Sequence, residues 1–314
     1  MPPCCCCNDI YTGLQNPQGL GRVQVRGDDS TLKDSLTNTA SGYTIPRGHM
    51  DFKNKRFWGL GVVGSGGDFF NTAEDFSDLQ VLISVSSSFL RDIWPSPVSG
   101  YIFYSTSPTP SSLSGTITRC LYDGTGSTTL VTHSHATTSV ALSSLAASKS
   151  QSYLFYTLEY GIGVAGLKEE VRRINFDGTG DTLIFQATND TQNNHSVTNV
   201  YVDETHQKVM FEYEFPSGQV RLNRCDFDGS NQETYYSGTT TTGIPVRTPF
   251  WSHKHQKYFF YKRNADPVSG LFSLEYDGSN LTQEVPIANW AGQLSPLFIA
   301  PGCGMEITGS GYTL

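Results

Sequence analysis

The sequence predicts an all-β chain folded as a six-bladed propeller of four-stranded antiparallel sheets. Three observations carry that prediction. One phrase recurs four times: ITRCLYDGTGSTTLV (117–131), VRRINFDGTGDTLIF (171–185), VRLNRCDFDGSNQETYY (220–236) and LFSLEYDGSNLTQEVP (271–286). The Asp residues of the phrase (Asp123, Asp177, Asp228 and Asp277) stand about fifty residues apart, a period expected of propellers and arrays. Only 16% of residues are charged while Gly, Ser, Thr, Tyr and Phe abound. That is the balance of many short strands joined by turns.

Each phrase is an alternating apolar run, an aromatic-Asp-Gly turn and a second β-prone run. Gly supplies the positive φ that a tight primed hairpin turn needs, so a two-residue turn is expected at each Asp-Gly. Upstream of each phrase lies a further strand: Tyr101–Tyr104, Tyr153–Tyr156, Val209–Tyr213 and Tyr258–Tyr261. Their aromatics Phe103, Phe155, Phe211 and Phe259 are read as core between blades. Before these come inner strands, expected at Thr44–Phe52, Leu90–Pro95, Ser139–Ala147, Ser196–Asp203 and Pro245–Ser252. Two degenerate copies precede the clear four. One spans Ile10–Gly13, Gly21–Asp29 and Thr31–Leu36; the other spans Arg56–Leu60, Asp68–Ser77 and Leu79–Ile83. The first copy lacks an inner strand, and the apolar segment Leu294–Ala300 is left over near the C-terminus. Pairing the two would close the ring and leave no open edge between the ends. Residues 1–314 are thus expected to form one domain, with 1–9 a flexible or edge-strand tail.

The net charge of −8 and the absence of a Lys/Arg stripe argue against nucleic acid. No apolar run reaches the length of a membrane span. The start MPPCCCCNDIYTG has neither a basic nor an apolar signal region, so a cytoplasmic location is expected. Cys120 and Cys225 occupy the same place in two non-adjacent repeats and are expected as free thiols, consistent with a reducing compartment. Cys4–Cys7 lacks zinc-finger spacing. Asp226, Asp228 and Ser230 hint at a calcium loop whose remaining positions are missing.

Arg173-Ile-Asn-Phe-Asp177-Gly and Arg224-Cys-Asp-Phe-Asp228-Gly, with their two companions, resemble the repeats of YWTD-type six-bladed propellers. Where the YWTD tetrad would stand the chain reads YIFY, YLFY and YFFY. The resemblance implies the architecture rather than a receptor function.

In such a ring the loops entering the inner strands and those joining second to third strands surround one end of a central channel. The entering segments bring Arg47, His49, Arg91, Asp92, Trp94, His133, His135, Asn194, His195, Arg247, Trp251 and Trp290. Long second-to-third connections (Gly64–Gly67, Ser105–Ser114, Tyr160–Gly166) suggest a lid. There is no G-x-S-x-G, H-E-x-x-H, P-loop or dinucleotide motif, and no cofactor or metal is expected. His133-Ser-His135 could present two imidazoles to one side, but no third ligand is identifiable. Compared with regucalcin-type lactonases, the inner strands offer Asn199 and Asp92 without a matching Glu. Strictosidine-synthase-like propellers use a channel Glu, for which Glu159, Glu212 and Glu214 are poorly placed.

Two functions are expected from these features. In size and overall character the chain resembles the fungal hetero-Diels–Alderases of tropolone–sesquiterpenoid biosynthesis. That resemblance rests on no single motif. It implies a pericyclase that dehydrates a hydroxymethyl tropolone to an o-quinone methide and joins this to a terpene alkene. The catalytic candidates are Arg47, Arg91 and Arg247 as carbonyl donors, and His49, His133 and His195 for the proton. Trp94, Trp251 and Trp290, with Asp92, His135 and Asn194, would contact the small apolar or aromatic substrate. The alternative is a lectin or protein-interaction propeller, but none of the four Trp stands at matching repeat positions.

Overall fold

A computed structural model of the chain describes residues 9–15, 18–26, 29–37, 44–51, 56–63, 66–73, 78–85, 89–96, 99–107, 112–148, 150–161, 168–188, 196–215, 219–239, 244–252, 256–263, 270–286 and 294–299. They form β-strands and turns, with no helix among them. The first sheet holds β1 (Asp9–Gln15), β2 (Gln18–Arg26) and β3 (Asp29–Thr37). The second holds β4 (Thr44–Asp51), β5 (Arg56–Val63), β6 (Gly66–Ala73) and β7 (Gln80–Val85). The third holds β8 (Phe89–Ser96), β9 (Tyr101–Ser107), β10 (Ser114–Leu121) and β11 (Thr128–Ser134). The fourth holds β12 (Val140–Ser148), β13 (Tyr153–Tyr160), β14 (Lys168–Asn175) and β15 (Thr182–Thr188). The fifth holds β16 (Ser196–Asp203), β17 (Lys208–Glu214), β18 (Gln219–Asp226) and β19 (Glu233–Thr239). The sixth holds β20 (Ile244–Ser252), β21 (Lys257–Arg263), β22 (Gly270–Glu275) and β23 (Thr282–Pro286). The last strand, β24 (Leu294–Ile299), pairs antiparallel with β1 and so leads the first sheet. Every sheet is a four-stranded antiparallel meander. The leading strands β4, β8, β12, β16, β20 and β24 contact one another in that order, with β24 also against β4.

The repeated phrase builds the joints between sheets. Gly124, Gly178, Gly229 and Gly278 all have left-handed φ near +85°, between +82 and +90. In each phrase the Gly amide donates to the carbonyl three residues back, as Gly124 N does to Leu121 O at 2.9 Å. The Asp precedes that position with an ordinary φ. The connection runs over 122–127, not two residues, so the expected primed turn is replaced by a wider one with two left-handed positions, Gly124 and Gly126, matched by Gly178 and Gly180, Gly229 and Asn231, and Gly278 and Asn280. The Asp has a different task. Asp123 Oδ1 accepts from Thr125 N and Oγ1, Asp177 from Thr179 in the same way, and Asp228 from Ser230. Those donors hold the exposed carboxylates below the usual aspartate range. The calcium-loop hint resolves the same way. Asp226 is taken by Lys208 and by Asn231 Nδ2 at 2.6 Å.

Each turn docks on the sheet before it. A Cβ on Gly124 would lie 3.0 Å from Leu82 O, on Gly178 3.0 Å from Leu130 O, and on Gly229 2.9 Å from Ile184 O. From that preceding sheet an Arg reaches the aromatic residue of the turn. Arg119 Nη1 donates to Phe176 O at 2.6 Å, Arg173 Nη1 to Phe227 O at 2.9 Å, and Arg224 Nη1 to Tyr276 O at 2.7 Å. The turn aromatics pack on second-strand rings, Phe176 on Phe103 and Phe227 on Phe155, with centroids 4.7 and 5.2 Å apart. Phe103, Phe155 and Phe211 are fully buried and Phe259 nearly so, as the period-two reading expected.

Cys120 and Cys225 are buried and unbridged. Burial pushes their thiols up to about 11 and about 12. Thiolates are the reactive form. Both cysteines should therefore resist an aromatic disulfide reagent in the native protein at pH 8 and react only after denaturation, as read by peptide mass mapping. Rapid native labelling of either would contradict this packing.

Candidate functional site

The structure adds a feature that plain alternation does not predict: a register shift in every leading strand. It falls between Thr44 and Arg47 in β4, Leu90 and Asp92 in β8, Leu142 and Leu145 in β12, and Val197 and Val200 in β16. In β20 it falls on both sides of Arg247, and β24 shifts against Tyr11/Thr12 of β1. The shifts lie at nearly one level. Arg47 opposes Leu60, Asp92 opposes Ser105 and Arg247 opposes Tyr261, each the fifth residue of its second strand. Thr157 and Glu212 hold that place beside the bulges of β12 and β16. Bulges leave a residue out of the ladder and re-aim side chains, and they concentrate next to active sites.

Three bulges share a pattern of apolar, polar, polar, apolar: Leu90-Arg91-Asp92-Ile93, Leu142-Ser143-Ser144-Leu145 and Val197-Thr198-Asn199-Val200. Their polar members do different things. Arg91, partly buried, donates from Nε to Ser107 Oγ at 3.2 Å. Ser143 Oγ lies 2.9 Å from Thr157 Oγ1 and donates to Glu159. Asn199 Nδ2 and the Tyr201 hydroxyl donate to the two oxygens of Glu212, at 2.5 and 2.8 Å. Glu159 and Glu212 are 8% and 1% exposed. Each touches a bulge residue of its own leading strand. A carboxylate with hydroxyl and amide donors can accept from a ligand hydroxyl or move a proton.

The other sequence candidates separate. Arg47, His49 and Arg247 lie on leading strands by backbone, and their side chains are outside the described residues. Asn194, His195, Trp290, Cys4–Cys7 and most of the proposed lid loops also lie outside them. Asp92 is 2% exposed and turns its carboxylate to backbone amides. Trp94 (5% exposed) packs with Phe103, Ile117 and Phe155, and Trp251 (2%) with His206, Tyr258 and Tyr276. Burial makes both Trp walls of the fold.

His133 is on β11, the last strand of its sheet, away from the leading-strand bulges. Its Nε2 lies 2.8 Å from the Tyr156 hydroxyl and 3.5 Å from Asp181 Oδ2. Tyr156 donates to Asp181 Oδ1 at 2.6 Å, and Arg172 clamps both Asp181 oxygens at 3.1 and 3.0 Å while reaching Glu170 at 2.7 Å. His135 instead accepts from Thr137 N at 3.3 Å and faces the Tyr160 ring. Among the described residues, no three His, Cys, Asp or Glu converge as metal ligands.

Burial pulls the His133 pKa down, against the opposing pull of Asp181. The unfolded chain therefore takes up its proton first, near pH 6.5. Stability linked to His133 is full above that value and is lost as pH falls toward the lowered folded one. His133→Gln should flatten the acid-side fall of the melting temperature between about pH 7 and pH 5. An unchanged slope would contradict the assignment.

No family model matches the chain, and no curated protein does. Solved structures do match. A structure of a nidogen/laminin complex aligns with a TM-score of 0.61 at 10% identity, over 88% of this chain and 92% of that one. TolB from Acinetobacter baumannii aligns at 0.60 and 11% identity, over 89% of this chain and 64% of its own. Hydrazine synthase of Kuenenia stuttgartiensis aligns at 0.65 and 11% identity over 99% of this chain, which spans 47% of that one. At such identities the likeness carries the fold alone. The chain has a β-propeller fold.

Proposed function

We propose that the protein is a closed six-bladed propeller with one asymmetric small-molecule site at the level of the leading-strand bulges. The cyclic contacts of the leading strands and the pairing of β24 with β1 support the closed ring. One observation carries the site. The joints between sheets repeat, whereas the bulge residues change from sheet to sheet: Arg47, Arg91-Asp92, Ser143-Ser144, Thr198-Asn199 and Arg247. Repetition serves the scaffold. Variation at one level suits a single ligand contacted differently from each side.

The chemistry proposed is cofactor-independent. A hydroxymethyl tropolone loses water to give an o-quinone methide, the leaving hydroxyl taking a proton and the ring hydroxyl giving one up. Cycloaddition to an alkene then forms one C–O and one C–C bond. Arg91, with Arg47 on the adjacent leading strand β4 and Arg247 on β20, would polarise the carbonyl, and the Ser143–Glu159 pair would move the proton. Holding both reactants in register can remove about 7–11 kcal/mol of barrier at best. A second reading, a carbohydrate-binding propeller, draws on the Asn199–Glu212–Tyr201 group, whose carboxylate suits hydroxylated ligands.

Thermal shift separates the two. Tropolones and humulene-type terpenes should raise the melting temperature saturably, and Arg91→Ala should weaken that rise about tenfold or more in ligand concentration. Stabilisation by mono- or oligosaccharides alone would replace the first reading by the second.

A further inference from the structure

We infer that Asp92 and Ser144 are positioning residues that tie three successive bulges together; the functional part of this inference rests on the site proposed above. Asp92 Oδ1 accepts from Ile93 N at 2.9 Å, within its own strand. Its Oδ2 crosses to the next sheet and accepts from Leu145 N at 2.8 Å. Ser144, one residue earlier on β12, repeats the move: its Oγ accepts from Val200 N on β16 at 3.1 Å. Asp92 and Ser144 hold the same place, the second polar residue of the bulge pattern. Leu145 and Val200 hold the same place too, the first apolar residue after it.

The geometry explains why a polar residue belongs there. Leu145 and Val200 are the first residues to pair again after the register shifts, on strands at the edge of their sheets, and a buried amide facing away from the second strand must find another acceptor. Here the acceptor is a side chain from the preceding leading strand. Asp92 is 2% exposed and Ser144 3%, so water does not substitute freely for either bond. Sheet three therefore fixes the bulge of sheet four, and sheet four fixes that of sheet five. Arg91, Ser143 and Asn199 ride on these bulges. Their spacing around the site is set by the two bonds. Neither Asp92 nor Ser144 need touch the ligand.

The dependence runs one way, and that makes it testable. In Asp92→Asn the amide group can offer an acceptor to only one of the two backbone donors. Hydrogen exchange at Leu145 should rise about tenfold or more, the loss of one such bond. Because the β12 bulge then moves with Ser144, exchange at Val200 should rise as well. Ser144→Ala should raise exchange at Val200 while leaving Leu145 unchanged, and Ser144→Thr should restore it. Tropolone titrated into the same proteins should bind more weakly to Asp92→Asn and Ser144→Ala and normally to Ser144→Thr.

If Val200 is unaffected by Asp92→Asn, the tie between bulges does not exist, whatever binds. If exchange behaves as expected but tropolone affinity is unchanged in both variants and falls in Arg91→Ala, the site stands and the positioning role is refuted. If tropolone fails to bind the unmodified protein, the site proposal fails, and the exchange pattern alone decides for or against the tie.

Discussion

Gly278→Ala is expected to cost about 3 kcal/mol of stability, while Gly100→Ala costs about 1. Both glycines are left-handed, at φ +83 and +72. Each variant pays the backbone penalty of an L-residue there, about 1–2 kcal/mol. The surroundings differ. A Cβ at Gly100 meets nothing within 4 Å, whereas at Gly278 it falls 2.6 Å from the Tyr235 carbonyl oxygen on the neighbouring sheet. Backbone cannot step aside as a side chain end can. The turn must lift off the preceding sheet, at a further cost of about 1–3 kcal/mol typical of overpacking. Thermal or denaturant unfolding of the two variants side by side isolates the docking. Equal losses would mean that Gly serves only the turn and not the joint.

Arg224→Ala should be as damaging, about 2–4 kcal/mol, with Arg224→Lys recovering little of it. Arg224 is 5% exposed, and its guanidinium lies over two rings, 4.5 Å from Tyr235 and 4.4 Å from Tyr276. Nη1 reaches Tyr276 O across the joint, and Nε donates to Glu233 at 2.6 Å. Planar stacking with simultaneous forked donation is what Lys lacks. The exposed Glu233 contributes little by itself, since its half of the pair is screened by water. Glu233→Gln should thus stay within about 1 kcal/mol of the unmodified protein. If Arg224→Ala behaves like that surface change, the Arg is not a staple between sheets.

The scaffold was readable because its joints repeat. The leading strands expected at Ser196–Asp203 and Leu90–Pro95 appear at Ser196–Asp203 and Phe89–Ser96, and the surplus Leu294–Ala300 segment appears as β24 beside β1. The Asp-Gly pairs marked the turns correctly but not their type. A dipeptide reports that one residue can take positive φ, while the Asp–Thr bond and the contact with the preceding sheet choose the wider form. The YWTD-type resemblance pointed to the joint residues, and the Arg-to-carbonyl bonds give the physical reason for that spacing.

The site was less readable. Arg47, Arg91, Asp92 and Arg247 were expected from the segments entering the inner strands, and by backbone position all lie at the bulge level. Ser143 and Ser144 were missed because the strands were read as plain alternation, and Glu212 was considered only as a channel Glu. The apolar, polar, polar, apolar pattern was the available signal, since two adjacent polar residues cannot both face outward from an unbulged buried strand. His133 was assigned by proximity to a strand entry. It belongs to the last strand of its sheet, where it meets a tyrosine and a carboxylate from the neighbouring one. Trp94 and Trp251 illustrate a further limit: alternation gives a side chain's face but not its depth.

The most direct test of the account is the number of ligand molecules bound per chain. Titration calorimetry with a tropolone–terpene pair should give one site per chain, weakened in Arg91→Ala and in Asn199→Ala. Those two residues lie on different sheets, so their joint effect on one binding event would place a single ligand between them. Several equivalent sites per chain, or one site indifferent to both substitutions, would contradict an asymmetric pocket at the bulge level.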